Sequence, residues 1–316
     1  MDILTRQQEI TDPAEWDGSL FGSQLELVQL AGGDFSCRQI VTDLGGVQIL
    51  RFSVNQPIKV RSRPLTHRYV AAFFDQSLEG HFAGAAITPW QMLLLPPAFD
   101  FDACAKDAGF QCTVLFADPE LLRAHYRTLA GEPLREPAGL MTTAPEPSVT
   151  ERLRAWPAWA ASENLDSLDN SQRGGVHAAL VDEALSLFVD GLRAAVPFAQ
   201  ADAPKQLRAQ SLVREAEDYA NSRPDQNVRM IDLCGATGVS ERTLQYAFQT
   251  TLGISPMSYL RRRRLHEVRR MLKAADPASA TVSAIACQAG FWHFSDFSQA
   301  YKELFDELPS ETLRDI

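Results

Sequence analysis

The sequence has no run of about 18 apolar residues, the length at which a helix can cross a bilayer. Its first residues also lack the charged-then-apolar pattern of a secretory signal. Both absences predict a soluble, cytoplasmic protein that does not associate with a membrane. Apolar residues still make up 45% of the 316 positions, which is enough to bury two hydrophobic cores.

Cysteine is scarce and histidine is scattered. The five cysteines, at 37, 104, 112, 234 and 287, are odd in number and form no Cys-x-x-Cys pair, which argues against a disulfide framework or a zinc site. We expect buried reduced thiols, with a redox pair of Cys104 and Cys112 across a hairpin as the alternative. Because His67, His81 and His125 are isolated and no His-x-His occurs, we predict neither a metal site nor any other cofactor.

The chain also lacks the basic excess typical of a DNA-binding protein, since its net charge is −10. The charge is unevenly placed, however. Residues 205–316 carry 15 Lys and Arg against 14 Asp and Glu, whereas residues 1–204 carry 15 against 26. A local basic face is enough to release counterions from DNA, so the C-terminal part remains a candidate for DNA binding.

What the sequence does contain is a segment, residues 229–316, in which one pattern occurs twice. Leu233 corresponds to Ile285, Gly238 to Gly290, Leu244 to Phe297, Phe248 to Tyr301 and Pro256 to Pro309. The offset is 52 residues at the glycines and 53 at the later pairs, so the second copy has one extra residue in its turn. Two copies are too few for a solenoid. They predict a tandem pair of helix-turn-helix units.

Each copy has the local signals of a helix-turn-helix. Gly238 and Gly290 can adopt the left-handed backbone that ends a helix, and Ser240 stands where the next helix needs an N-cap. That helix is predicted to bury Leu244 and Phe248 and to turn its other face to the major groove. The residues predicted on that face are Arg242, Gln245, Tyr246 and Gln249. The alternative, a helical hairpin with a merely solvated face, is disfavoured because two copies occur in register.

A long helix is predicted between the two copies. Ser255 can cap it, and Pro256 suits its first position, where a missing N–H costs nothing. Six arginines follow, spread over several faces of the helix. We predict that Arg262 and Arg264 contact DNA phosphates, with internal packing as the alternative for Arg264 and Arg269.

These motifs, taken in order, resemble the AraC/XylS family of transcriptional regulators. The resemblance rests on Leu233 through Gly-x-Ser, then Arg-Thr-Leu-Gln, Gly-Ile-Ser-Pro, a Tyr-Leu-Arg…Arg-Leu helix and Ile-Ala…Gly-Phe. The segment 290–293, with Pro309 and Ser310, is similar to a branch that includes the ethanolamine operon regulator. The sequence departs from the family pattern at Cys234, Gln299 and Tyr301. The resemblance covers residues 207–316 and implies a DNA-binding domain.

In the second copy, the resemblance implies that Ser295 and Gln299 face the groove. We predict DNA contacts from Ser295, Ser298, Gln299 and Lys302, and a core formed by Phe291, Phe297 and Tyr301. Trp292, in the turn, either lies against the DNA backbone or closes the core over Phe297. Because removing a buried tryptophan typically costs about 3–5 kcal/mol, more than a hydrogen bond is worth, we favour closure of the core.

Residues 1–130 are predicted to form β-strands separated by glycine turns. The predicted strands cover residues 25–30, 37–41, 47–54, 69–74, 92–95 and 111–116. Many short strands indicate a sandwich or barrel, and the resemblance implies a cupin-like barrel that binds an effector. The candidate effector contacts are Phe73, Asp75, His81, Trp90, Phe99 and Phe101. Acidic and aromatic side chains would suit an amine, although acidic residues on loops are usually solvated.

Helices are predicted to follow the strands, beginning at Pro119 and covering residues 149–156 and 177–192. The last has an apolar stripe from Leu180 to Leu192, which suits a partner helix in the same chain or in a second copy. We predict that this region dimerises and that the polar segment 199–206 is a linker.

The expected fold class is α+β multidomain. A cupin-like effector-binding β-barrel or sandwich covers residues 1–130, a helical dimerisation or interdomain segment covers 131–198, a linker covers 199–206, and an all-α DNA-binding domain covers 207–316. The expected function is a homodimeric transcriptional activator that binds promoter DNA, contacts RNA polymerase and responds to a small-molecule effector. The alternative is a DNA-binding regulator without an effector. An enzyme is disfavoured because the sequence has no paired nucleophile and base and no phosphate loop.

Overall fold

The computed structural model of this chain describes residues 4–16, 24–63, 67–74, 78–89, 91–143, 151, 155, 170–197, 204–223 and 228–314. Its strands are Leu4–Ile10 (β1), Gln24–Gln29 (β2), Cys37–Asp43 (β3), Val47–Val54 (β4), Ile58–Arg63 (β5), Tyr69–Phe74 (β6), Gly80–Phe82 (β7), Ala85–Ala86 (β8), Met92–Leu95 (β9), Phe101–Ala105 (β10), Phe110–Ala117 (β11), Met141–Thr143 (β12) and Val196–Pro197 (β13). They pair in two sheets, with the orders β1-β3-β4-β11-β6-β9-β12-β13 and β2-β5-β10-β7-β8. The prediction of a β-rich N-terminal domain before a helical C-terminal domain is confirmed.

The first hydrophobic core lies between the two sheets. Along β6, Val70 and Phe74 point into this core, whereas Tyr69 and Phe73 point to the other face of the larger sheet, because successive side chains of a strand alternate. The strand is therefore buried on both faces. This explains why its sequence is a continuous apolar run rather than an alternating one.

Two helices cover the outer face of the larger sheet. They are Pro119–Ala130 (α1) and Asn170–Ala194 (α2). α1 begins at the predicted proline because the Asp118 carboxylate accepts hydrogen bonds from the amides of Glu120 (2.9 Å) and Leu121 (3.2 Å). The helix predicted over residues 149–156 lies outside the described residues, apart from positions 151 and 155.

The apolar stripe of α2 packs within the chain and not on a second copy. Leu180, Leu185 and Phe188 are at most 6% exposed and lie in one cluster with Tyr69 and Met92 of the larger sheet. The prediction that this stripe joins two subunits is therefore wrong, because the sheet of the same chain already covers it. The segment 131–198 also contains β12 and β13, which extend the larger sheet beyond β9 and were not predicted.

The C-terminal part is helical. Its helices are Pro204–Asn221 (α3), Met230–Thr237 (α4), Glu241–Leu252 (α5), Pro256–Ala274 (α6), Val282–Gln288 (α7), Phe294–Phe305 (α8) and Pro309–Thr312 (α9). Of the predicted linker, residues 199–203 lie outside the described residues and residues 204–206 belong to α3. The helix extends into the predicted linker because its apolar face, with Leu212 and Val213, packs on the first helix-turn-helix unit.

The outer face of the smaller sheet packs against this helical part. Val28 and Cys104 of the sheet, and Leu30 directly after β2, lie in one hydrophobic cluster with Leu212 and Phe248. The layers therefore follow the order α1 and α2, larger sheet, core, smaller sheet, C-terminal helices. None of the described helices is long and apolar enough to cross a membrane.

The cysteines do not form the redox pair considered from the sequence. Cys104 lies on β10 of the smaller sheet and Cys112 on β11 of the larger one, so the two are not neighbours across a hairpin. Cys37, Cys104 and Cys112 are free and buried. Burial raises the pKa of Cys37 and of Cys104 to about 12, which keeps these thiols protonated and unreactive at neutral pH.

Candidate nucleic-acid interface and its junction with the sheets

The first helix-turn-helix unit has the predicted turn. Gly238 ends α4 with φ 67°, and its amide donates to the Cys234 carbonyl over 2.9 Å. The Ser240 hydroxyl then accepts from the Thr243 amide over 3.3 Å and so caps α5. Only a residue without a side chain adopts this turn at no steric cost, which is why glycine stands there.

One face of α5 is buried and the other is open to solvent. Leu244 and Phe248 are fully buried, as predicted. The four predicted groove-facing residues are all exposed: Arg242, Gln245, Tyr246 and Gln249. Gln245 donates to the Glu241 carboxylate over 2.9 Å and Gln249 to the Gly253 carbonyl over 3.1 Å. These are local contacts at the surface, so both amides remain available to base edges, and their DNA contacts stay a prediction.

The second unit repeats this interior. Phe297 and Tyr301 of α8 are 1% and 0% exposed, and Phe291 packs beside Phe297 with the ring centroids 5.0 Å apart. The Tyr301 hydroxyl forms a 2.8 Å hydrogen bond with the Thr312 hydroxyl of α9. The predicted core of this unit is therefore confirmed. Ser295, Gln299 and Lys302 are exposed and Ser298 is half-buried, and their contacts with DNA stay predictions.

The role favoured for Trp292 is wrong. Its side chain is 68% exposed, and the neighbouring Phe294 is 45% exposed. The core is closed by Phe291, which is 8% exposed, so Trp292 has no space left to fill beside Phe297. Two large aromatic side chains therefore stand in solvent at the start of the second recognition helix.

The arginines of α6 divide between the junction and the surface. Arg263 pairs with Glu26 of β2. Arg269 is only 6% exposed and contacts Asp12 over 2.9 Å and Glu307 over 2.7 Å. Burial alone would raise the pKa of Asp12, but hydrogen bonds from Arg269 and Lys273 lower it below its usual value. Arg269 thus ties Asp12 of the N-terminal domain to the turn between α8 and α9.

Neither of the two arginines predicted to contact phosphates is fully exposed. Arg262 is half-buried, and burial lowers its pKa. Arg264 is also half-buried, and its guanidinium lies 5.2 Å from the centroid of the Phe291 ring. Arg261, which the sequence did not single out, is exposed and donates to the Asp296 carbonyl in the first turn of α8 over 2.9 Å. Arg261 thus lies at the start of the second recognition helix, and phosphate contacts by Arg262 and Arg264 stay predictions.

Backbone contacts hold the smaller sheet directly against α6 and α8. The Gln29 amide donates to Nε2 of His266 over 2.9 Å, and the Gly33 amide donates to the Leu304 carbonyl over 3.2 Å. A Cβ at Gly32 would lie 2.2 Å from the Glu303 carbonyl oxygen, so only glycine allows this approach. Burial and the charge of Arg269 lower the pKa of His266 to about 3, which keeps Nε2 free to accept.

A buried group of charges lies beside these contacts. Lys59 and Arg61 of β5 face Glu217 of α3, at 4.0 Å and 3.7 Å respectively, and Arg61 also reaches Asp218 over 2.7 Å. Lys59 and Glu217 are each 2% exposed. Because breaking one partner of a buried ion pair leaves an uncompensated charge, this group fixes how the two domains meet. None of these residues was predicted as functional.

The predicted effector residues do not converge on one pocket. Phe73 points away from the space between the sheets, as described above, and His81 points to the outer face, where its Nε2 lies 2.7 Å from Asp102. Both assignments are wrong for a pocket between the sheets, because alternation along each strand sends these side chains outward. Phe101 does line that interior and stacks on Phe82 with centroids 5.0 Å apart, and Phe99 packs at its edge. Asp75 and Trp90 lie outside the described residues.

Two helix-turn-helix units on a rigid connecting helix, each with an exposed polar recognition face, define a DNA-binding domain. The family described as "Helix-turn-helix domain" matches residues 233–315. The "Probable thc operon regulatory protein" of Rhodococcus erythropolis is 40% identical over 105 residues, 33% of this chain and 32% of that protein. The "XylDLEGF operon transcriptional activator" of Pseudomonas putida is 33% identical over 88 residues, 28% of this chain and 27% of that protein.

Among solved structures, a probable AraC family transcriptional regulator from Rhodopseudomonas palustris CGA009 is 35% identical, and the match covers 33% of this chain and 96% of that one with a TM-score of 0.31. The matches to the two named regulators span about a third of their lengths. The C-terminal part of this chain is an AraC-family helix-turn-helix domain.

Proposed function

We propose that this protein is a sequence-specific DNA-binding transcriptional regulator whose N-terminal domain controls the attached DNA-binding domain. One observation carries the proposal: two exposed recognition faces, on α5 and α8, belong to a domain that buried ion pairs fasten to the smaller sheet. A flexible linker would be enough to attach the DNA-binding domain, and it would not require buried ion pairs between the two domains. A change in the N-terminal domain can therefore bias the position of both recognition helices.

The direction of control that we propose is activation, with RNA polymerase as a partner at the promoter. The support is that a relative of the DNA-binding domain is named as a transcriptional activator. Dimerisation also remains part of the proposal, but the surface that would serve it is not the stripe of α2.

The test is selection of binding sites from random duplex DNA by the full chain, followed by titration of the selected site. We expect a defined sequence bound in two adjacent major grooves, with affinity that falls as salt rises because phosphate contacts release counterions. A double variant, Arg242→Ala with Gln299→Ala, should lose selectivity, whereas Arg127→Ala on the distant helix α1 should bind like the parent. If no sequence is enriched, the proposed function is wrong.

A second candidate, regulation without an effector, is favoured by one observation. The space between the two sheets is a cavity of only about 70 Å³ with entirely apolar walls. Ligand pockets for small molecules usually measure about 300–1,000 Å³. A cavity of this size supports regulation without an effector bound between the sheets. Calorimetric titration of the full chain with metabolites separates the two candidates.

A further inference from the structure

Two glutamines on the recognition faces are each held by a glutamate one helical turn away. Gln245 of α5 donates from its side-chain amide to the Glu241 carboxylate over 2.9 Å, and Gln299 of α8 donates to the Glu303 carboxylate over 2.8 Å. All four side chains are exposed. Residues four apart lie on the same face of a helix, so each glutamate stands beside its glutamine on the surface predicted to contact DNA. Because Glu241 precedes its glutamine and Glu303 follows its own, the two pairs are not copies of one repeated pattern.

A carboxylate determines which way round the glutamine amide points. The amide carries an acceptor oxygen, Oε1, and a donor nitrogen, Nε2, and a half-turn of the group exchanges them. An ionised carboxylate only accepts hydrogen bonds, so it can face Nε2 and not Oε1. Among the described residues, none donates to Oε1 of Gln245 or of Gln299. Each glutamate therefore leaves Oε1 of its glutamine free, together with the second hydrogen on Nε2.

The third glutamine of these faces has the same orientation. Nε2 of Gln249 donates to the Gly253 carbonyl over 3.1 Å. A backbone carbonyl, like a carboxylate, only accepts. All three glutamines on the predicted DNA-contacting faces thus have their amide nitrogen bound to an acceptor and their amide oxygen free.

The two carboxylates carry an electrostatic cost at this place. DNA is a dense row of negative phosphates, and a negative side chain on the face that approaches it is repelled. In the described part of the chain, no cation lies within salt-bridge distance of Glu241 or of Glu303. The hydrogen bond that orients a base-reading glutamine would offset that cost. A pair that only stabilised the helix would have no influence on base preference.

A glutamine oriented in this way fits one base edge better than the others. In the major groove, adenine presents the N6 amino donor next to the N7 acceptor. Oε1 can accept from N6 while the second hydrogen on Nε2 is donated to N7. Guanine presents N7 and O6, which are both acceptors, so Oε1 would face another lone pair. The orientation therefore favours adenine over guanine.

We propose that Glu241 and Glu303 are positioning residues, which orient Gln245 and Gln299 to read adenine in the major groove. Neither glutamate contacts a base itself. The inference rests on the proposed function, because an amide reads a base only in bound DNA. It adds to that function the base that each of the two glutamines selects.

The test measures the affinity of the full chain for the selected DNA site and for duplexes in which each base pair is replaced in turn. Glu241→Gln keeps the length of the side chain, but an amide can also donate, so Gln245 is free to turn round. We expect the ratio of the affinities for adenine and guanine to fall about tenfold at one base pair. Glu303→Gln should lower this ratio at a different base pair. The ratio is compared because the loss of a negative charge strengthens binding to every sequence alike.

Two controls isolate the orienting contact. Glu215→Gln on α3 removes the same charge from a helix surface, where Glu215 accepts from the Ser211 hydroxyl over 2.9 Å, and it should change the ratio at no base pair. In a chain that already carries Gln245→Ala, Glu241→Gln should also change no ratio, because no amide remains to be oriented.

Three results would overturn the positioning role while the proposed function stands. They are an unchanged ratio in a glutamate variant, an effect at a base pair that is not A·T, and an effect of Glu241→Gln that persists beside Gln245→Ala. The last would show that the glutamate contacts a base directly. If the parent enriches no DNA sequence, the proposed function is wrong and this inference fails with it, so the two failures are told apart by the parent alone.

Discussion

The two helix-turn-helix units have matching interiors and different entrances to their recognition helices. Leu244 and its counterpart Phe297 are both at most 1% exposed. At the entrances, Ser240 caps α5 with its hydroxyl, whereas His293 makes no such hydrogen bond and stands beside the exposed Trp292. The repeat thus preserves what packing requires, and the units differ at the surface predicted to contact DNA. The second turn has one residue more than the first.

The largest effect on stability is expected from substitutions in the hydrophobic cores of the two helix-turn-helix units. Phe248→Ala and Phe297→Ala should each lower the free energy of unfolding by about 3–5 kcal/mol, because each leaves a cavity in a close-packed core. Urea unfolding followed by circular dichroism measures both, with the exposed Arg242→Ala as a control within about 0.5 kcal/mol of the parent. A loss below about 1 kcal/mol in one unit only would break the claim that the interiors are equivalent.

The interior of the repeat was predictable because helix periodicity and glycine turns are local signals. The junction was not predictable in this way. β5 carries Lys59 and Arg61 on a face that is buried, and only Asp102 and Glu217, far away in sequence, explain why charges can lie there. The strand alternates like one with a solvated face, so nothing local distinguishes a buried ion pair from a surface one.

For a similar reason, the sequence predicted the position of some candidate-site residues correctly and of others incorrectly. The exposed face of α5 follows from a period of 3.6 residues, and the structure places all four predicted residues there. Trp292 lies in a turn, where no period decides whether a side chain points in or out. His81 was misplaced because its strand, Gly80–Phe82, is only three residues long and gave no alternation from which to assign a face.

The next largest effect is a loss of DNA affinity, which is expected from substitutions on the recognition faces of α5 and α8. Arg242→Ala or Gln245→Ala should cost about 1–3 kcal/mol at the selected DNA site and relax the preference at one base pair. Gln299→Ala tests the second unit, at the position that corresponds to Tyr246, and should act on a different base pair. Titrations against the selected site and its single-base variants measure these changes, with Thr128→Ala of α1 as the control. Variants that keep both affinity and selectivity would remove these residues from the interface.

A smaller difference in stability is expected between variants at the N-termini of α5 and α8. Ser240→Ala should cost about 1 kcal/mol of stability, because the Thr243 amide loses its acceptor. His293→Ala should change stability by less than about 0.5 kcal/mol, because its side chain makes no capping hydrogen bond. Thermal melting of both variants measures these two changes in stability. Equal losses would show that His293 stabilises the start of α8 as much as Ser240 stabilises the start of α5.

The smallest change in stability is expected for Trp292→Ala, and it contradicts what the sequence favoured. A side chain that is 68% exposed contributes little to packing, so the free energy of unfolding should stay within about 0.5 kcal/mol of that of the parent. In helix-turn-helix proteins the first residues of the recognition helix contact base edges, and the exposed Trp292 stands beside that position. We therefore expect Trp292→Ala to weaken binding to the selected site while the melt is unchanged, and Trp292→Phe to recover part of the affinity. If the Trp292→Ala variant melts at a lower temperature than the parent but binds DNA with the same affinity, Trp292 stabilises the fold and does not contact DNA.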